Sequence, residues 1–133
     1  MRIRQAARAV SQLYDEAMRP SGLVRTQFTV LVAASLAGPE GASMTALART
    51  LVLDRTALTR ALSPLERAGL VRTASGSSDA RLRLVRITPA GTRKLGRALD
   101  LWEAAQASFL ARAGVTWPET HLRLGRLVQA IVT

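Results

Sequence analysis

Five polar residues that follow Asp54 are spaced so that one side of a helix would carry all of them. At about 100° per residue, they point away from the apolar stripe of Leu58, Leu62 and Leu65. Arginine binds phosphate oxygens and guanine edges with two hydrogen bonds, and hydroxyl groups bind phosphates or contact thymine methyl groups. A solvated helix face is the alternative, because arginine is common on any protein surface. The five residues are Arg55, Thr56, Thr59, Arg60 and Ser63.

A second group of functional candidates lies in and after a polar loop. Residues 75–79 form a polar turn between two short strand patterns. The turn ends on Asp79, and Arg81 and Arg83 come after it. We predict that Arg81 and Arg83 enter a minor groove of DNA, where phosphate potentials converge. Asp79 is predicted to fold back onto Arg81 and to hold the shape of the loop. An ordinary polar turn is the alternative, and the pattern gains weight only from the helical pair that precedes it.

That helical pair must position the first group. A helix over residues 43–51 directs Leu47, Ala48 and Leu51 inward, and Asp54 is a suitable N-cap for a second helix over residues 55–68. Two short helices joined by a tight turn form a helix-turn-helix. Val52 stands near the position where many such turns have glycine. Pro64 is expected to kink the second helix or to end its regular part early.

Further helices and a hairpin surround the pair. The apolar spacing predicts helices over residues 3–18, over residues 26–36 with Thr26 as the cap, over residues 89–113 after Thr88, and from about Pro118 onward. Strand patterns on both sides of the polar loop predict a hairpin. The predicted fold is mainly α with a small β-hairpin wing: a winged helix-turn-helix flanked by N- and C-terminal dimerisation helices.

The terminal helices carry more apolar surface than the small central motif can cover. In the long helix, apolar residues recur in steps of three and four that only Gln106 interrupts. This seam and the last helix therefore need a partner, and the sequence predicts a homodimer. Its predicted interface contains Leu95, Leu99, Trp102, Phe109, Trp117, Leu124, Leu127, Val128 and Ile131.

Composition narrows the function classes. The formal net charge is +10, and residues 44–88, about a third of the chain, carry half of it, which favours a surface that faces phosphates. Without cysteine and with His121 as the single histidine, one subunit can assemble neither a histidine-based triad nor the usual zinc sites. We expect no enzymatic activity, no cofactor and no metal. No apolar run reaches membrane length, so we also expect no membrane association and a cytoplasmic location.

Four linked motifs resemble those of the MarR family of bacterial transcriptional regulators. The sequence DRTALTR at residues 54–60 is similar to the start of the family's recognition helix, and LERAGLV at residues 65–71 to its passage into the wing. DAR at residues 79–81 resembles the wing signature, and ITPAG at residues 87–91 resembles the start of the long helix. The motifs cover residues 44–91 closely, and the helical layout extends the resemblance over the whole chain.

The resemblance implies a single domain over residues 1–133. Residues 1–20 and 89–133 would form the helical dimerisation region, and residues 26–88 the winged helix-turn-helix. It further implies a homodimer that binds a pseudopalindromic operator in double-stranded DNA, with recognition helices about 34 Å apart. Many relatives release DNA when a small aromatic or anionic effector binds between the two regions, so a ligand-released repressor is the expected function. Tyr14 is either a contact of such a ligand or a packed residue.

Two other function classes stay open at this point. A basic helical module that binds DNA or RNA without sequence preference would also account for the charge. A winged domain that mediates protein contacts would account for the fold alone. An enzyme is the least favoured class, because no acid, base and nucleophile converge.

Overall fold

The computed structural model describes residues 1–75 and 83–132 of the chain. In these residues, no helix is both long and apolar enough to cross a lipid bilayer. The chain forms α-helices and one small antiparallel sheet, and a 3-10 turn at Arg19–Ser21 follows the first helix. The elements are α1 (Arg2–Met18), α2 (Arg25–Leu36), β1 (Ala42–Ser43), α3 (Met44–Leu51), α4 (Arg55–Arg67), β2 (Val71–Ser75), β3 (Arg83–Ile87), α5 (Pro89–Ala113) and α6 (Trp117–Val132).

The core lies where α2, α3, α4 and the sheet meet, and the first part of α5 closes it. Its largest fully buried side chains come from all of these elements except α5, which adds Leu95 and Ala98. The predicted inward stripe of α4 is confirmed, because Leu58, Leu62 and Leu65 are all buried. The fully buried set is Val30, Leu31, Leu47, Leu58, Leu65, Val71 and Val85.

The sheet has one strand more than the predicted hairpin. β2 pairs with β3 over their whole length, and β1 pairs with the other edge of β3, which gives the order β1-β3-β2. β1 consists of Ala42 and Ser43 alone, opposite Val85 and Leu84. Two residues are too few for an alternating pattern, so this strand could not be predicted from the sequence. β1 ties the start of α3 to the base of the wing.

One local expectation is wrong, and for Pro64 one of the two predicted effects is excluded. Thr26 does not cap α2: the helix begins at Arg25, and the side chain of Gln27 accepts a hydrogen bond from the backbone N–H of Val24 at 3.1 Å. The hydroxyl-capped start was favoured because threonine is a common N-cap, but a glutamine at the third position also satisfies a free amide. Pro64 does not end α4, which continues to Arg67.

Helix α5 begins as predicted and packs closely on the wing. Thr88 caps it by accepting a hydrogen bond from the N–H of Gly91 at 3.0 Å, and Pro89 occupies the first turn. A Cβ atom at Gly91 would lie 2.1 Å from the carbonyl oxygen of Leu70 and 2.8 Å from Cγ1 of Ile87. Only glycine therefore permits this approach of α5 to the end of β3.

We predict that Gly91→Ala lowers the free energy of unfolding by about 2 kcal/mol, because backbone must move to admit the methyl group. Gly96→Ala is the matched control in the same helix, since nothing lies within 4 Å of its Cβ position. The control should stabilise the protein by about 0.5–1 kcal/mol through helix propensity. Urea unfolding of both variants measures the difference. Equal stability of the two variants would contradict the close approach.

An aromatic group joins the terminal helices to α2. Trp102 of α5 stacks on Tyr14 with ring centroids 5.7 Å apart and on Phe28 at 6.4 Å, and Trp117 meets its edge at 6.2 Å. The Tyr14 hydroxyl donates to Oε1 of Gln106 at 3.4 Å. Burial raises the pKa of Tyr14 above its usual value, so the hydroxyl keeps its proton. Gln106, which interrupts the apolar seam, thus has a polar partner inside the same chain.

Candidate nucleic-acid interface

The turn between α3 and α4 sets the direction of the second helix. Val52 closes α3 in the left-handed conformation, with φ +54°, at the place where glycine is common. The N–H of Leu53 donates to the carbonyl of Ala48 at 2.9 Å, which fixes the exit of the chain. Asp54 then caps α4, because its Oδ1 accepts from the N–H of Ala57 at 2.7 Å. The predicted cap is confirmed, and Val52 itself adopts the left-handed conformation where many such turns have glycine.

The five polar residues of α4 form one exposed face, as their spacing predicted. All of them are exposed, while the opposite side of the helix is buried in the core. The hydroxyl of Thr59 donates to the carbonyl of Arg55 at 2.8 Å, so its proton is already used within the helix. Thr59 retains its lone pairs and its methyl group for contacts. We call this set the α4 face: Arg55, Thr56, Thr59, Arg60 and Ser63.

The α4 face has the shape and chemistry to enter a DNA major groove. It is the convex outer side of a helix of 13 residues whose other side is held by a buried stripe. Arg55 and Arg60 supply positive charge and ten N–H donors between them, and the three hydroxyl groups are short enough to let the helix approach base edges. Asp54 is the acidic residue at the start of this helix, and its carboxylate accepts a hydrogen bond from the N–H of Ala57.

The wing adds a cation beside the recognition helix. Asp79 was predicted to hold the shape of the wing loop, and Arg81 was predicted to enter a minor groove. Both residues lie outside the described residues. Arg83 is the first residue of β3 and is exposed, and its Nη2 donates to the hydroxyl of Thr73 on β2 at 3.0 Å. That hydroxyl in turn donates to Oε1 of Glu66 in the last turn of α4.

The sequence interpretation assigned no role to Glu66 and Thr73. Thr73 lies two residues after the buried Val71 on β2, so the two side chains are on the same face of the strand. Its contact with Arg83 depends on the hairpin register, in which Ser75 pairs with Arg83 and Thr73 with Val85. Seven residues separate the two strands, so the sequence leaves that register open.

The residues predicted for the dimer interface fall into two groups. Leu95 is buried within the subunit, and Leu99 and Trp102 pack against the same core, so these three have partners inside the chain. Helix α6 contains no buried residue. The second group is exposed or half-buried and consists of Phe109, Trp117, Leu124, Leu127, Val128 and Ile131.

Comparison with known proteins identifies the family to which this combination of helix-turn-helix, wing strands and long helix belongs. The sequence profile of the MarR family matches residues 21–82. The chain is similar to the transcriptional regulator MosR of M. tuberculosis, with 38% identity over 96% of this chain and 90% of that chain and a TM-score of 0.82. A structure of MosR in complex with DNA matches at 41% identity over 96% and 91% of the two chains, with a TM-score of 0.81.

A more distant match is CouR from Rhodococcus jostii RHA1 bound to p-coumaroyl-CoA, with 25% identity, 98% and 88% coverage and a TM-score of 0.81. The comparison with curated protein sequences found no match. The helix-turn-helix, the wing strands and the long helix of this chain thus recur in regulators that align with nearly its whole length. The chain belongs to the MarR family of transcriptional regulators.

Proposed function

We propose that the protein is a homodimeric repressor that binds a pseudopalindromic operator and is released by a small anionic or aromatic effector. The observation that carries this proposal is the exposed α4 face on a helix whose other side is fixed in the core. The base contacts are assigned to Arg55, Thr56, Thr59, Arg60 and Ser63, and the wing contacts to Arg81 and Arg83, with Asp79 shaping the loop. The DNA complex of MosR supports the assignment by similarity.

Helix α6 supports the dimer. It projects an apolar stripe of which Leu124, Leu127 and Val128 are about half exposed and Ile131 is 82% exposed. A groove between α1 and α5, lined by Val10, Leu13 and Phe109, offers a matching apolar surface. We assign this stripe to contacts with a second subunit, because a free helix with such a stripe would be an association site in water.

These surfaces indicate which segments of the chain dimerise and which bind DNA. We assign residues 1–20 and 89–133 to dimerisation and residues 26–88 to DNA binding. Leu95, Leu99 and Trp102 join the two parts within one subunit, because α5 begins against the wing and continues alongside α1. A ligand that shifts α1 or α5 would therefore change the spacing of the two recognition helices.

A cleft between the end of α1 and the start of α2 is the candidate effector site. It has a volume of about 470 Å³ and is lined by Asp15, Arg19 and residues 22–26. Arg25 is held by Asp15 at 3.6 Å, and Nζ of Lys94 lies 3.4 Å from the Cβ position of Gly22. Arg19 and Arg25 line the cleft together with one carboxylate, and Lys94 lies beside Gly22, so the cleft favours an anionic ligand. Tyr14 is packed against Trp102 rather than open to this cleft.

The operator proposal is tested by selecting bound sequences from a random duplex library at about 0.15 M salt, where exposed charge attraction is well screened. An inverted repeat with half-sites about one helical turn apart is the expected result. Tight binding at low salt without a preferred sequence would instead indicate a non-specific nucleic-acid module. No binding at low salt would indicate a protein-interaction domain.

The effector proposal predicts that Arg25→Gln weakens release without weakening DNA binding. Removing one cation from the cleft should raise the concentration of p-coumarate or p-coumaroyl-CoA needed for half-release about tenfold. Competition between each probe and labelled operator measures this concentration. Arg8→Gln, an equal loss of charge on an exposed part of α1, is the control. If wild type and Arg25→Gln need the same probe concentration for half-release, the cleft is not the effector site.

A further inference from the structure

The base of the wing contains a three-residue chain of hydrogen bonds that joins it to the recognition helix. Arg83 of β3 donates to Thr73 of β2, and Thr73 donates to Glu66 of α4. Arg83 pairs with Ser75, which lies two residues after Thr73 on β2. Side chains two residues apart on a strand share a face, so Arg83 and Thr73 lie on the same side of the hairpin. Three separate elements therefore meet at one hydroxyl group.

The Thr73 hydroxyl is chemically suited to this place. A hydroxyl accepts one hydrogen bond while it donates another, so it can link a cation and a carboxylate that have no direct bond between them. Valine has the same shape without either function, whereas serine keeps both. Because Glu66 sits in the last turn of α4, its carboxylate fixes the hydroxyl relative to the recognition helix.

Arg83 stays exposed in this arrangement. Among residues 1–75 and 83–132, Thr73 accepts from one of the five N–H groups of Arg83, and the Arg83 side chain is exposed at the first position of β3. An arginine already held in one direction loses less rotamer freedom when it binds an anion. The chain of hydrogen bonds thus prepares Arg83 for a phosphate at a set distance from the α4 face.

We propose that Thr73, oriented by Glu66, is a positioning residue that directs Arg83 to the DNA backbone, and so couples the wing to the recognition helix. The inference rests on the proposed function, since it concerns binding of the same operator. Neither Thr73 nor Glu66 needs to touch DNA. Their effect acts through Arg83.

The test compares Thr73→Val with Thr73→Ser in operator binding, in wild type and in an Arg83→Ala background. Thr73→Val should lower operator affinity about tenfold, and Thr73→Ser should bind like wild type. Arg83→Ala should reduce the dependence of log affinity on log salt concentration by about one phosphate contact per subunit. Thr73→Val should then add no further loss to Arg83→Ala, because the residue through which it acts is gone.

Thermal unfolding of each variant separates positioning from folding, since a merely structural role would lower stability and leave the salt dependence unchanged. Wild-type affinity in Thr73→Val would overturn the inference. So would a loss in Thr73→Val that persists undiminished in the Arg83→Ala background. In either case the wild-type protein still binds its operator, so the inference fails while the proposed function stands. A wild-type protein that selects no operator would overturn the proposed function itself.

Discussion

Placing glutamate at both Leu124 and Val128 is expected to split the dimer and to weaken operator binding by about 100- to 10,000-fold. Both residues are about half exposed on α6, so the subunit should stay folded. In a dimer the four introduced carboxylates would be buried beside apolar groups without partners, which is costly. A single subunit then binds one half-site and loses the advantage of two linked contacts. Sedimentation velocity and operator titration measure the two effects.

Arg126→Glu is the control for charge. It changes the net charge by the same two units as the double substitution, and it lies on the opposite side of α6 from Leu124 and Val128 at about 100° per residue. We expect it to leave the dimer intact. A dimer that survives Leu124→Glu with Val128→Glu would contradict the assignment of this stripe to the subunit interface.

Replacing Arg60 with alanine is expected to cost about 2–6 kcal/mol of specific binding per dimer. A bidentate contact to guanine contributes about 1–3 kcal/mol, and each dimer would lose two of them. Binding to unrelated duplex DNA should fall much less, because only the general attraction to phosphates is reduced there. Titration of the selected operator and of a scrambled duplex at one salt concentration gives the ratio.

Arg67→Ala provides the matched comparison. Arg67 is exposed and lies on α4 like Arg60, but in the last turn, more than one helical turn beyond the α4 face. Arg67→Ala removes the same charge as Arg60→Ala, so we expect equal and small losses of affinity for the operator and for the scrambled duplex. Equal losses on both DNAs in Arg60→Ala would show that Arg60 binds phosphate, and base reading would then pass to Arg55 and the hydroxyl groups.

The helix boundaries were predictable wherever a capping residue marked them. Asp54 and Thr88 cap α4 and α5 through the bonds that their side chains can make, and Gly114 ends α5 in the left-handed conformation. Where the cap is formed by a residue inside the helix, as with Gln27, the prediction misplaced the start. Local chemistry therefore determines most of these elements.

The features that escaped prediction depend on contacts distant in sequence. Leu95 belongs to the seam by its spacing, yet it is buried in its own subunit because α5 packs on α1 and α2 and closes the core. The strand β1 exists only because β3 lies beside it. The bond between Arg83 and Thr73 needs a hairpin register that the sequence does not specify. Spacing shows which face is apolar, but not which partner covers it.

In the proposed complex, the two recognition helices of one dimer read two half-sites on the same side of the DNA. Inserting five base pairs between the half-sites of the selected operator tests it most directly, because this insertion turns one half-site by about half a helical turn. We expect affinity to fall to the level of a single half-site. An insertion of five further base pairs should not restore affinity, because the original distance between the two contacts is not restored. Unchanged affinity after the first insertion would mean that each subunit binds DNA on its own, and the dimeric binding mode would then be wrong.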